Sequence, residues 1–355
     1  MLSATRDLTL PTTVTGSWPR PTWFTEVLRG RPFKEALGDS RFDLTVGGKS
    51  WFFYPIERLL GITGHVDRAA GAGWTTIQPG RILYEVMEAY QPAIAGEKLR
   101  GGPLQYAALF KVAQRFSARP VKFGSISAQT MTKMITNKHY GSDHELILDV
   151  ADIVNTELRE VAAAGCRVIQ VEEPRHHIAA ADGIADGELQ FLTDALNREI
   201  KGVETEVWLH TCWGNPSQQP IHWTRPSYER ALPHLLQTTA DVITLECAST
   251  GGRDLPLLAK YRTDKKIAIG VVNHSTAAVE PPEVVADLIR RALEYVPPER
   301  LILSSDCGFG REGLSRRIAF YKTVAINLGA NIVRRELKLP AVDIPAADPR
   351  YTFSG

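Results

Sequence analysis

The residues best suited to chemistry cluster in one stretch, Val207-Trp208-Leu209-His210-Thr211-Cys212-Trp213-Gly214-Asn215. Its apolar opening reads as a short buried strand, and residues two apart in a strand point to the same side. His210 and Cys212 therefore aim at one point where the strand gives way to a loop. An imidazole and a thiolate converging in this way suit Zn²⁺. Cys307 offers a second thiolate, and Glu246 a carboxylate oxygen as fourth ligand. Two thiolates and a carboxylate leave a zinc site with net negative charge, a poor Lewis acid for activating water. Such a site suits binding a substrate thiol, lowering its pKa and keeping its sulfur nucleophilic. The competing reading makes Cys212 and Cys307 core cysteines and His210 a hydrogen-bonded strand-end histidine, since buried free cysteine is common.

These side chains need elements that bring them together. Short apolar runs alternate with helical patterns along most of the chain. Strands are expected at the run ending in Ser17, at Trp74 to Gln78, Val121 to Ser125, Arg167 to Val171, Glu206 to Leu209, Val242 to Leu245, Ile267 to Val272 and Leu301 to Leu303. Helices are expected at Ile56 to Gly73, around Tyr84 to Tyr90, and at His144 to Ala164, Leu189 to Ile200, Ser227 to Thr238, Leu255 to Tyr261, Pro282 to Tyr295 and Gly313 to Leu328. Strands alternating with helices imply a parallel sheet covered by helices. Eight such units point to an α/β fold of the closed (β/α)₈ TIM barrel type, whose active site lies at the C-terminal ends of the strands. A doubly wound open sheet is the alternative. Ser17, Glu172, Glu173, His210, Cys212, Glu246, His274 and Cys307 all fall at such ends, so the barrel would gather them at one mouth. The domain expectation is a single barrel over residues 1–355. Residues 1–9 form an untethered arm, and residues 19–55 an insertion over the barrel mouth after the first strand.

The composition narrows the partners. A formal charge of +1 gives no electrostatic reason to expect nucleic acid or an anionic membrane. No apolar run reaches the length of a membrane span, and the N-terminus lacks the pattern of a signal peptide. Four widely spaced cysteines, Cys166, Cys212, Cys247 and Cys307, do not resemble a disulfide framework. A reducing cytoplasm is expected, with thiols left for metal or catalysis. No Gly-rich phosphate loop supports a nucleotide cofactor.

His210-Thr211-Cys212, Glu246 and the Asp306-Cys307-Gly308 turn resemble the zinc-binding pattern of the catalytic domain of cobalamin-independent methionine synthase. Thr12-Thr13-Val14-Thr15-Gly16-Ser17 is similar to that family's first-strand motif, which implies that Gly16 and Ser17 contact the carboxylate of homocysteine. Ile169-Gln170-Val171-Glu172-Glu173-Pro174 looks like its fourth-strand segment, with Glu172 where an aspartate helps hold the amino group. His274-Ser275 resembles the element whose histidine gives a proton to the leaving group. The likeness runs from about Pro11 to Leu328, and its zinc set is the most specific part. His210 to Asn215 and Asp306 to Gly310 look closest to the short branch of this superfamily, which includes epoxyalkane:coenzyme M transferase (2-hydroxypropyl-coenzyme M lyase). The resemblance implies Zn²⁺ as cofactor, and a small-molecule thiol and an alkyl donor as partners. The expected reaction is transfer of an alkyl group, methyl by preference, to a zinc-activated thiol. The alternative is opening of an epoxide by such a thiolate.

Two departures bear on the substrate. The family's acid after the second strand, which contacts the homocysteine amine, is replaced by Arg81 after Gly80. A cation there disfavours an ammonium group and favours a sulfonate or carboxylate. The chain also lacks the duplicated N-terminal half of the full-length synthase. Each residue has a plainer reading as well: Arg81 as a surface salt-bridge residue, His274 as a structural histidine, Ser17 as a helix cap, and one of Glu172 and Glu173 as a loop tether. Cys166 reads as packing, and Cys247 as pointing away from the site. Trp18, Trp51, Trp213 and Trp223 suit stacking on a flat donor as well as core packing. Two readings outside this chemistry are a uroporphyrinogen-decarboxylase-like barrel, which needs no zinc, and a zinc- or thiol-binding protein without turnover.

Overall fold

The computed structural model describes residues 3–19, 53–66, 92–213, 226–310 and 314–347. Its main sheet has six parallel strands in the order β3 (Phe123–Ile126), β5 (Val168–Glu172), β6 (Glu206–His210), β7 (Val242–Leu245), β8 (Lys266–Val272) and β9 (Leu301–Ser305). Beyond β9 the first strand continues this order. Thr12 bridges Leu303 in parallel, through Thr13 N–H to the Leu303 carbonyl and Leu303 N–H to the Pro11 carbonyl, both 2.9 Å. This is the strand order of a (β/α)₈ barrel. The expected second strand, Trp74 to Gln78, lies outside the described residues, as do the helical stretch at Tyr84 to Tyr90 and most of the 19–55 insertion.

The strands here are mainly apolar and are buried on both faces. All seven residues of β8 are buried, and so are all five of β6 and of β9. A parallel strand covered by helices on one side and barrel interior on the other requires this. The helices are one-faced. Between β3 and β5 runs α3 (Asp143–Ala163), which starts at Ser142, whose hydroxyl accepts the Glu145 N–H at 3.2 Å. After β8, α8 (Pro282–Leu293) opens on Pro282 and buries Val285, Ala286, Leu288, Ile289 and Ala292. The last helix, α9 (Arg316–Glu336), runs well past the expected end at Leu328. In the other direction, α6 (Leu232–Leu236) is shorter than the expected Ser227 to Thr238.

Two expectations fail. The apolar spacing of Ile56 to Gly73 predicts a helix, yet among its described residues the helix Phe53–Ile56 ends at Ile56 and Leu60–His65 is strand β1. Gly61, at φ +97°, cannot continue a helix, and Thr63 is β-branched. β1 pairs antiparallel with β2 (Ala93–Arg100), which pairs in parallel with the short β4 (Ile135–Asn137). This three-stranded sheet accompanies the barrel and has no counterpart in the expected pattern.

The N-terminal arm is also tethered. Glu206, at the start of β6, accepts the backbone N–H groups of Ser3, Ala4 and Thr5 at 2.9–3.0 Å and the Thr5 hydroxyl at 2.7 Å. Trp208 Nε1 donates to the same carboxylate at 2.8 Å. Lys266 Nζ donates to the carbonyls of Thr5 and Leu8. Burial opposes the charge on Glu206, but these donors outweigh it and hold the carboxyl below its usual value of 4.5. A depressed folded pKa contributes stability that is present above the unfolded value and lost as pH falls through the folded one. Glu206→Gln should therefore cost about 2 kcal/mol at neutral pH and flatten the acid limb of the stability curve. Urea denaturation from pH 7 downward measures both effects, and deleting residues 1–5 should add little to the variant's loss.

Candidate metal centre

The barrel delivers three donors to one buried point. His210 ends β6, Cys212 follows two residues later, and Cys307 lies two residues past β9. Their ligand atoms all lie within 4.8 Å of one another. The Cys212 and Cys307 sulfurs are 3.2 Å apart, and no cysteine is in a disulfide. His210 is 3 % exposed; its Nδ1 pairs with Glu172 Oε2, and its Nε2 is buried without a hydrogen-bond partner. An imidazole nitrogen left over beside two sulfurs is the donor set that Zn²⁺ takes, so the residues present fit the metal. Glu172 on the far ring nitrogen holds His210 as carboxylates hold histidine ligands at zinc sites.

The charges follow from these contacts. Burial disfavours a charged His210, but the Glu172 carboxylate and the Cys307 sulfur outweigh it and push the imidazole up to about 10. Cys307 is held well below the usual thiol range, first by its hydrogen bond with Cys212, then by His210 and His274, against burial. The pocket thus favours thiolate, the form that binds metal.

Glu246 and His274 stand beside this trio. With Asp306 they form a second group whose ligand atoms lie within 4.8 Å of one another, all buried. Glu246 Oε2 accepts the Trp213 N–H at 2.8 Å and Oε1 accepts the Ser249 hydroxyl. Asp306 was not singled out by sequence reasoning, although it precedes Cys307 directly. Its carboxylate accepts three consecutive backbone N–H groups, from Cys247 and Ala248 at 2.8 Å and Ser249 at 2.7 Å. Burial, then the neighbouring Glu246, pushes Asp306 up to about 8.

Gly16 and Ser17 meet the same mouth from the first strand. Gly16 has φ +69°, and a Cβ there would lie 2.9 Å from both N and Cα of Gly308. A Cβ on Gly308 would in turn lie 2.5 Å from Ser17 N. Two bare backbones interlock here. Phe309 N–H donates to the Ser17 carbonyl at 2.8 Å, Thr15 N–H to Ser305 Oγ at 3.0 Å, and Ser305 Oγ to the Cys307 carbonyl at 2.9 Å. The loop holding Cys307 is thereby fastened to the first strand.

The remaining candidates separate. Glu173 is fully buried, accepts the Ser127 hydroxyl and the His176 N–H, and donates its own N–H to the His210 carbonyl, so it ties down the loop. Glu172 faces His210 and Gln170. Cys166 donates to the Val168 carbonyl, and Cys247 is pushed well above the usual thiol range by burial. Trp18 packs edge-on against Phe309, and Trp213 against His177 and Tyr228. Arg81, Trp51 and Trp223 lie outside the described residues.

Residues 73–324 match the family model described as the catalytic domain of cobalamin-independent synthase. The chain belongs to this family. Among its relatives, the methionine synthase of Saccharolobus solfataricus is 28% identical over 345 residues, covering 93% of this chain and 96% of that one. The methionine synthase of Sulfurisphaera tokodaii is 28% identical over 355 residues, covering 93% and 94%. Among solved structures, a B12-independent methionine synthase from Shewanella sp. W3-18-1 in complex with selenomethionine superposes with a TM-score of 0.70 at 24% identity, covering 93% of this chain and 99% of that one. A methyltransferase from Methanosarcina mazei gives 0.51 at 13%, covering 90% and 94%. Both likenesses show the family's barrel fold. No helix among the described residues is long and apolar enough to cross a membrane.

The interlock at the mouth is testable. Gly308→Ala forces a methyl into Ser17 N and should cost about 1–3 kcal/mol in chemical denaturation. Gly187→Ala, in the helix α5 (Asp186–Glu199) with nothing within 4 Å of the new methyl, should leave stability unchanged or raise it.

Proposed function

We propose that the chain is a zinc-dependent enzyme that transfers an alkyl group, methyl by preference, to a small-molecule thiol. The observation that carries this reading is the buried convergence of His210, Cys212 and Cys307 at the C-terminal mouth of the barrel. The names of the relatives, methionine synthases, favour homocysteine as the thiol and a methylated folate as the donor. Bound by these donors, Zn²⁺ would lower the pKa of a substrate thiol and keep its sulfur nucleophilic.

The chain's own residues then divide the work. His210, Cys212 and Cys307 hold the metal, with Glu246 from the adjoining group as the fourth donor. The backbone around Gly16 and Ser17 receives the carboxylate of the thiol substrate. Glu172 serves the amino group of that substrate as well as His210. In the transfer the donor's bond to carbon breaks as the sulfur–carbon bond forms, and His274 gives the departing atom its proton. Placing Arg81 near the thiol's far end would favour a sulfonate, which keeps coenzyme M and an epoxide donor as the second reading. A single barrel domain in the cytoplasm completes the proposal.

Purified protein should hold one zinc per chain by elemental analysis. Cys307→Ser should lose metal and activity together while its circular dichroism stays that of the folded barrel; retention of full metal and rate would sink the assignment. Calorimetric titration of the zinc-loaded protein with homocysteine, and separately with coenzyme M, separates the two thiols. Binding of homocysteine with proton release supports methionine formation, and preference for coenzyme M moves the reading to epoxide opening. His274→Asn should keep thiol binding and lower turnover by about 10²–10⁴-fold, read by comparing calorimetry with steady-state rates.

A further inference from the structure

A chain of polar side chains runs down the barrel interior from the candidate metal centre. His210 Nδ1 pairs with Glu172, and Glu172 Oε1 accepts from Gln170 Nε2. Gln170 Oε1 accepts from Lys122 Nζ at 2.6 Å, and Lys122 also donates to the Val14 carbonyl at 3.0 Å. Lys122 Nζ sits 4.6 Å from the centre of the Trp208 ring. Gln170 and Glu172 are alternate residues of β5, and Trp208 and His210 alternate residues of β6, so each pair shares an inward face.

The chemistry of the links gives the chain a direction. A lysine ammonium only donates and a carboxylate only accepts. An amide between them satisfies both in one orientation alone, with oxygen toward Lys122 and nitrogen toward Glu172. Gln170 is 1 % exposed and Glu172 7 %, so solvent cannot substitute for either partner. Removing the ammonium leaves the Gln170 carbonyl oxygen buried without its lysine donor, an unsatisfied acceptor that the amide can relieve only by shifting. That shift weakens the donor that fixes Glu172, and with it the carboxylate placement that aims His210 Nε2 at the sulfurs.

We propose that Lys122 and Gln170 are positioning residues for the metal ligand His210, acting through Glu172. The inference rests on the zinc reading of the site. Groups that orient a histidine ligand from behind change metal affinity without touching the metal.

The test compares wild-type protein with Lys122→Met, Gln170→Glu and, as a surface control, Lys111→Met. Zinc affinity is measured by competition with a chelator, and ligand geometry by the visible spectrum of the cobalt-substituted protein. Lys122→Met and Gln170→Glu should each weaken zinc binding by about 10–100-fold and shift the cobalt bands, while Lys111→Met matches wild type. If Lys122→Met does not fold, the near-isosteric Gln170→Glu decides, because it keeps the shape of the side chain and exchanges the amide donor to Glu172 for a carboxyl. Wild-type zinc affinity and an unshifted cobalt spectrum in these variants would overturn the proposal while leaving the metal site intact. A wild-type protein that holds no zinc at all would overturn the metal reading and this inference with it.

Discussion

Two sulfurs 3.2 Å apart beside a buried imidazole set the terms for the rest of the mouth. Buried charge is tolerated only when it is paired and hydrogen-bonded. The structure meets this with alternating sign: Glu172 on the outer nitrogen of His210, the imidazole against the Cys307 sulfur, and His274 near enough to lower that thiol further. The arrangement is self-consistent, with each charge facing a partner of opposite sign.

Such a cluster needs walls that cannot relax. The parallel strands supply them, since β6 and β9 are buried along their whole length and cannot slide without exposing apolar surface. The last degree of freedom is the loop after β9. It is removed by the close approach of Gly16 to Gly308 and by hydrogen bonds from Phe309, Thr15 and Ser305. The first strand, which contributes little sheet, therefore has a role out of proportion to its length: it clamps the loop carrying Cys307.

Strands β5 to β9 were legible in the sequence to within two residues, because each is a short, mainly apolar run that gives way to polar residues at its C-terminal end. His210, Cys212 and Cys307 were legible for the same reason, as polar groups standing where such runs stop. The β1–β2–β4 sheet was not, because Ile56, Leu59, Leu60 and Ile62 satisfy a helical spacing as readily as they fit a bulged strand, and pairing is a non-local fact. The tether of Ser3 to Thr5 depends on a carboxylate about two hundred residues away. Asp306 was legible only as part of the turn that carries Cys307, and its bracing role was not, because its partners are backbone N–H groups, which no side-chain motif records. Glu172 has the right place for a substrate contact, but only the structure shows it turned to His210.

The acidic residues at the mouth illustrate why strand-end position alone does not assign a role. Glu246 at the end of β7 braces the loop after β6 through the Trp213 N–H, and Asp306 after β9 braces the turn after β7 through three N–H groups. The end of β5 is tied in the same sense, by the Glu173 N–H on the His210 carbonyl. Each brace reaches from one strand to the loop of another, so the loops hold one another in a relay around the opening. A carboxylate in such a relay positions backbone and supplies charge at once, and removing it loosens the loop next door as well. Glu246 shows how tightly the relay is drawn: one carboxylate oxygen accepts the Trp213 N–H and the other the Ser249 hydroxyl, so a single side chain joins the loop that follows Cys212 to the turn after β7.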